Sequence, residues 1–188
     1  MAAPVKLTAI FVTYKMKDAL LERVAQFKAQ FPDSQVIVAD NSPATYKKYA
    51  QLDSALQRFT GTEYINNGIN SRFCAYNLAC DKVKHDYVVF RTDDDKFDEA
   101  VLRSLLEAHP VTDFAVTPHY FKEDYQMPVS WERPIEGVIF SAAFLNTLLP
   151  FADEQGADWS LLKSAFDKKA PQFFNQPVLF KAAHGRVH

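Results

Sequence analysis

The sequence predicts an α/β domain with a mainly parallel central sheet and a ligand site at the carboxyl ends of its strands. Three observations carry that expectation. Four short β-branched or aromatic runs are each followed by a segment with apolar residues at helical spacing, all within about the first 110 residues. Pro, Gly, Asn and Asp clusters separate these units. A length of 188 residues, with 48% hydrophobic and 23% charged, suits one self-sufficient domain and excludes a disordered chain.

Residues 7–14 (LTAIFVTY) form the first expected strand, and Leu20, Val24, Phe27 and Phe31 mark the helix after it. Phe31-Pro32-Asp33 ends that helix, and residues 35–39 (QVIVA) make a second buried strand that stops at Asp40-Asn41-Ser42-Pro43. Pro43 suits a first helical position, where its missing N–H costs nothing, and Tyr46, Tyr49, Leu52 and Leu56 supply the stripe of one helix. Residues 62–65 are a short third strand, Asn66-Asn67-Gly68 is a turn, and a helix runs over 71–83. The fourth strand, 87–91 (YVVFR), runs into Thr92-Asp93-Asp94-Asp95, after which Asp98 caps a further helix. In the second half, 114–118 and 137–140 are expected strands around a polar, aromatic loop with Trp131. A helix over 158–168 and a strand over 177–181 precede a tail with His184 and His188.

Composition narrows the function. Twenty-one Lys and Arg against 23 Asp and Glu give a formal charge of -2, which offers no general footprint for nucleic acid or anionic membrane. Cys74 and Cys80, the 2 cysteines, have neither disulfide-framework nor zinc-site spacing and read as buried, reduced thiols. No apolar run reaches the ~18 residues of a membrane span, and the start lacks a signal-peptide pattern. A soluble cytoplasmic protein is the expectation.

Thr92-Asp93-Asp94-Asp95 is the most chemically loaded stretch. Three like charges at the end of an apolar strand repel, so protonation, a cation or an arginine must relieve them. Hard carboxylate oxygens favour Mg²⁺ or Mn²⁺, and Mg²⁺ commonly takes one or two protein carboxylates while phosphate oxygens and water complete its shell. A metal-bound diphosphate is therefore the expected ligand. A solvated turn ahead of the Asp98 cap is the alternative.

That triplet is one of four separated pieces in a recognisable order. The others are Ala9-Ile10-Phe11-Val12-Thr13-Tyr14, then Val38-Ala39-Asp40-Asn41-Ser42, then Asn67-Gly68-Ile69-Asn70-Ser71-Arg72 with Asn77. A fifth, Pro150-Phe151-Ala152-Asp153-Glu154 before Gly156-Ala157-Asp158-Trp159-Ser160, lies in the second half. Together they resemble the GT-A fold nucleotide-sugar glycosyltransferases of the family 2 type. The resemblance implies that Thr13 and Tyr14 touch the nucleotide, that Asp40 reads the base with Asn41 beside it, and that Asn67 and Arg72 face the nucleotide. It assigns the aspartates to metal and diphosphate. The pattern fits in two registers, so Asp93 and Asp95 are the preferred metal pair, while Asp93 and Asp94 also count as nucleotide-binding. His184 is a third metal contact by the same resemblance. In the fifth piece a Glu-Asp pair is usual; here Ala157 stands in place of the Glu, and Asp158 keeps the role of base toward an acceptor hydroxyl. On the residues alone, Asp158 is also a first-turn acid favoured by the helix dipole.

The implied protein is a single GT-A domain, Rossmann-like, with residues 1–98 as the nucleotide-binding half and 99–188 as the acceptor-binding half. The implied reaction is inverting transfer of a sugar from a nucleotide-diphosphate donor to an acceptor hydroxyl with Mn²⁺ or Mg²⁺. An acidic base reader suits the N–H of uracil, which points to UDP. Trp131 and Trp159 are candidates to stack on the acceptor, with core packing as the alternative. Arg72 and Arg91 can each fork onto a phosphate or a carboxylate, and Arg91, inside a strand, is assigned a carboxylate. The acceptor is open: saccharide, lipid, protein, or a modified nucleic-acid base as in phage-type enzymes. A nucleotidyltransferase is disfavoured because the loop after the first strand has no Gly. A non-catalytic nucleotide-sugar binding module is the other alternative, suggested by Ala157.

Overall fold

Side chains alternate across a strand, so each apolar run feeds two opposite layers, and a sheet buried on both faces results. The computed structural model describes residues 5–121, 124–126 and 130–181. Its first half comprises β1 (Leu7–Thr13), α1 (Lys17–Gln30), β2 (Gln35–Asp40), α2 (Ala44–Ala50), α3 (Leu52–Leu56), β3 (Thr62–Asn66), α4 (Arg72–Cys80) and β4 (Tyr87–Thr92). Then follow β5 (Lys96–Phe97), α5 (Glu99–Ala108), β6 (Phe114–Val116), β7 (His119–Phe121) and β8 (Asp124–Gln126). A 3-10 turn (Ile135–Gly137), β9 (Val138–Ser141), α6 (Ala142–Asn146), α7 (Ala157–Lys168), β10 (Gln172–Phe173) and β11 (Leu179–Lys181) complete it.

The 7-stranded sheet has the order β10-β6-β9-β4-β1-β2-β3. β1 to β4 are mutually parallel, while β9 runs antiparallel between β4 and β6. Ile10, Ile37, Val88, Phe90 and Phe140 face a layer formed by α4, α6 and α7, whose Tyr76, Leu145 and Leu162 are buried there. Leu7, Phe11, Val36, Val38 and Val89 face the other layer, where α1, α3 and α5 bring Leu20, Phe27, Leu56 and Leu102. The α/β class with a mainly parallel sheet is therefore as expected. A second, 4-stranded sheet, β5-β11-β7-β8, stands beside the acidic loop.

Several elements differ from the expectation. The helix after Asp40 is two helices broken at Gln51, whose φ of 47° is left-handed. Tyr49 is consequently 84% exposed instead of packing, whereas Leu52 and Leu56 are buried. Pro43 caps that helix rather than opening it. β5, β7, β8 and β10 are too short, at two or three residues, to display an alternation in sequence. Asp98 does cap its helix, accepting from the Val101 N–H at 3.0 Å.

Candidate active site

Register alone assembles the rim of a site. Thr13 pairs with Asp40 and Asp40 with Asn66, while Val12 pairs with Thr92, so the carboxyl ends of β1 to β4 finish level. The Asn41 N–H donates to the Thr13 carbonyl at 2.9 Å, and the Asn67 N–H to the Asp40 carbonyl at 3.2 Å. A cavity of about 500 Å³ opens above these turns, lined among others by Tyr14, Asn41, Lys47, Asp53, Tyr64 and Asn67. The Asn67 amide donates to Asn41 Oδ1 at 2.6 Å and to the Ile69 carbonyl at 2.9 Å, which fixes both amides in the wall.

Asp40 lies beneath this cavity. It is fully buried, and it accepts from the Ser42 N–H at 2.9 Å and from the Tyr64 hydroxyl at 2.9 Å. Burial and this bond to Asp40 push the Tyr64 phenol well above its ordinary range. Asn41, Asn67 and Tyr64 thus line the cavity, while Asp40 braces the turn after β2 and the Tyr64 hydroxyl from beneath. Asp40→Ala should strand the Ser42 N–H and the Tyr64 hydroxyl and cost about 1–3 kcal/mol of stability in urea unfolding. An unchanged midpoint would contradict this bonding.

The acidic loop follows β4. Asp93, 1% exposed, accepts from the Thr13 hydroxyl at 2.7 Å and the Tyr14 N–H at 3.2 Å, which ties the loop to the end of β1. Asp95, 2% exposed, accepts from the Thr92 hydroxyl and from Lys181 Nζ, each at 2.8 Å. Asp94 is half-buried between them. Burial pushes the Asp95 carboxyl above the usual range against the pull of the Lys181 ammonium.

From Asp95 a chain of alternating charges crosses to α7. Lys181 Nζ lies 3.9 Å from Glu136, Glu136 accepts from Arg72 at 3.3 Å, and Arg72 donates to Asp158 Oδ2 at 3.0 Å. Burial works to raise the Glu136 carboxyl, but Lys181 and Arg72 outweigh it and leave it below the ordinary range. Burial pushes the Asp158 carboxyl up, and Arg72 opposes that while Glu136 adds to it. Glu136 sits in the 3-10 turn, whose Gly137 carbonyl accepts from Arg133 Nη2 at 3.2 Å. A Cβ at Gly137 would come within 2.5 Å of that nitrogen, so a side chain there would push the guanidinium out of this bond. Ala157 is buried in the core, and the second carboxylate near Asp158 comes from Glu136 instead. Trp131 and Trp159 meet edge to face, ring centroids 6.3 Å apart, with Trp159 half exposed beside Asp158.

Thr13, Tyr14, Asp40, Asn41 and Asn67 gather at the strand ends, Asp95, Arg72 and Asp158 belong to the charge chain, and His184 and His188 lie outside the described residues. Asn77 clamps the chain, its side chain bonding both backbone groups of Phe151 at 2.8–2.9 Å. Arg91 pairs with the buried Glu99 as expected. Glu136 and Lys181 carried no motif, and only tertiary structure makes them part of the site.

Among the described residues no three Asp, Glu, His or Cys side chains form a ready-made metal cage. The donor set nonetheless fits Mg²⁺ or Mn²⁺, which are satisfied by one or two carboxylates when a ligand's phosphates complete the shell. Five carboxylates, Asp93, Asp94, Asp95, Glu136 and Asp158, gather along this path, and a divalent cation beside them would help an anionic ligand to bind.

Among solved structures, S. aureus TarS 1–349 in complex with UDP-GlcNAc is similar at a TM-score of 0.73 and 16% identity, covering 98% of this chain and 60% of that one. The mannosyltransferase PcManGT from Pyrobaculum calidifontis, in complex with GDP-Man and Mn²⁺, reaches 0.71 at 17% identity, covering 96% of this chain and 57% of that one. Bifunctional IspDF from Campylobacter jejuni reaches 0.59 at 11% identity, covering 92% of this chain and 50% of that one. These likenesses establish the GT-A fold, and the chain spans about three fifths of the first two chains' length. No curated protein sequence matches. No helix among the described residues is long and apolar enough to cross a membrane. The family model for glycosyl transferase family 2 matches residues 8–168, from β1 through α7, and the chain belongs to that family.

Proposed function

We propose that the chain transfers a sugar, with inversion, from a nucleoside-diphosphate donor to an acceptor hydroxyl. The observation that carries this reading is the alternating-charge chain that joins the acidic loop to Asp158. It supports a reading in which the acidic loop serves the leaving group and Asp158 serves as the base. The nucleotide-sugar complexes of TarS and PcManGT support the donor class.

The nucleoside lies in the cavity against Tyr14, Asn41, Asn67 and Tyr64, with Thr13 and Asp40 holding the turns from below. UDP is the donor nucleotide this wall is proposed to take. Asp93, Asp94 and Asp95 would hold Mn²⁺ or Mg²⁺, with His184 proposed as a further contact. When bound, the metal supplies charge neutralisation for the departing diphosphate. Asp158 takes the proton of the acceptor hydroxyl as its oxygen attacks the anomeric carbon, and the bond to the diphosphate breaks on the opposite face. Arg72 keeps the Asp158 carboxylate ionised and oriented. Trp131 and Trp159 form an apolar wall for an acceptor sugar or ring. Residues 1–98 serve the donor and 99–188 the acceptor.

Calorimetric titration with UDP, GDP, CDP and ADP, each with Mn²⁺ and then with EDTA, tests the reading. One nucleotide should bind, more tightly with metal, and Asp95→Asn should abolish the metal's contribution. Absence of binding by all four would overturn it.

A further inference from the structure

We propose that Lys181 binds the donor's diphosphate directly and that Glu136 is its positioning residue; the inference rests on the donor reading above. Backbone pairing brings Lys181 to the site. β11 runs antiparallel to β5, with Phe180 opposite Lys96, so the next residue stands beside the Asp95 that precedes β5. The side chain is 15% exposed, which leaves its tip at the cleft surface and not sealed within the core.

The bonding of the ammonium is incomplete in an informative way. An ammonium has three N–H donors. Among the described residues Lys181 Nζ donates one hydrogen bond, to Asp95 at 2.8 Å, and stops 3.9 Å short of Glu136. Glu136 Oε2 is buried and accepts no hydrogen bond among the described residues. A lysine serving only to neutralise two buried carboxylates would bond both. Among the described residues this one is held between them with donors left over. Arg72, one third exposed, is tied to the same Glu136 from the other side. One buried anion therefore sets the spacing of two cations along the path between the acidic loop and Asp158. A diphosphate oxygen is the acceptor that such donors fit: it is anionic, takes several hydrogen bonds, and must lie on that path if Asp158 is to act on the acceptor.

The test compares the unaltered chain with Lys181→Met and Lys181→Arg in titrations with UDP and GDP, and with uridine and guanosine, each in Mn²⁺ and in EDTA. Lys181→Met should lose roughly tenfold to hundredfold in affinity for the diphosphate that the unaltered chain binds, the weight of one charge-assisted hydrogen bond. Affinity for the matching nucleoside should be unchanged. The loss should be larger in EDTA, and Lys181→Arg should restore most of the binding. Glu136→Gln should follow the same pattern, diphosphate weakened and nucleoside spared. Should the methionine variant unfold, Lys181→Gln keeps a hydrogen bond to Asp95 without the charge and carries the same comparison. Equal losses for nucleoside and diphosphate, or an unchanged diphosphate affinity, would overturn the inference while leaving the donor reading intact. A chain that binds neither UDP nor GDP overturns the donor reading, and the inference with it.

Discussion

Asp158→Asn should bind the donor nucleotide as tightly as the unaltered chain and transfer sugar at least about a hundredfold more slowly, the lower end of what a positioned base contributes. The asparagine keeps the shape of the side chain and its place beside Arg72 but cannot take a proton. Its stability provides a control with a definite sign. Burial raises the folded pKa of Asp158 above its unfolded value, so its contribution is fully present below the unfolded pKa and lost as pH rises through the folded one. At neutral pH the ionised group is a net cost, and the asparagine variant should melt no lower than its parent. The pH profile adds an independent check. Transfer should rise as pH climbs through the raised pKa of Asp158. Arg72→Met removes the cation 3.0 Å away while Glu136 and Tyr76 remain, so that acid limb should move to higher pH. A limb that stays put would remove Asp158 from the role of base.

The rim at the carboxyl ends of the parallel strands was legible in sequence for a physical reason. β1, β2 and β4 are buried on both faces and therefore read as continuous apolar runs, and a polar turn or acidic loop at the end of such a run has one place to go. Glu136 and Lys181 had no such frame. Lys181 meets Asp95 across a separation of 86 residues, through strands of two and three residues that leave no periodic trace. The break at Gln51 was equally silent, because a left-handed residue that is not glycine gives no compositional warning. Asp40 illustrates a different limit. The motif located it correctly at the end of β2, yet only the hydroxyl of Tyr64 on the neighbouring strand shows that its carboxylate is spent inside the fold.

Arg91→Met should cost about 3–5 kcal/mol in urea unfolding, the usual penalty for breaking a buried ion pair from one side. Arg91 and Glu99 are 1% and 5% exposed, and the guanidinium lies 4.9 Å from the ring centre of Phe11 and 4.0 Å from that of Phe97. Removing it leaves the Glu99 carboxylate buried without its cation. Burial already raises the Glu99 carboxyl, with Arg91 holding it down, so the variant raises it further. A group with a raised folded pKa recovers stability as pH falls, and the deficit should therefore shrink on moving from pH 7 toward pH 5. Replacing both partners, Arg91→Met with Glu99→Leu, should recover most of the loss because apolar side chains of similar volume need no pairing. A single variant as stable as the double would show that the pair is not a coupled unit. Arg91 immediately precedes the acidic loop, so the same experiment reports how firmly that loop is anchored from behind.

The order of the large sheet has a consequence for the behaviour of the protein in a crowded solution. An unpaired outer strand offers its N–H and C=O groups to any neighbouring chain, and long, flat, apolar edges invite that pairing. Here one edge is β10, of two residues, too short to template a partner. The other is β3, where Glu63 is engaged by Gln35 and Lys84 and the strand carries a fixed charge among its side chains. Brevity blunts one margin and charge the other, so the large sheet is a poor seed for edge-to-edge association.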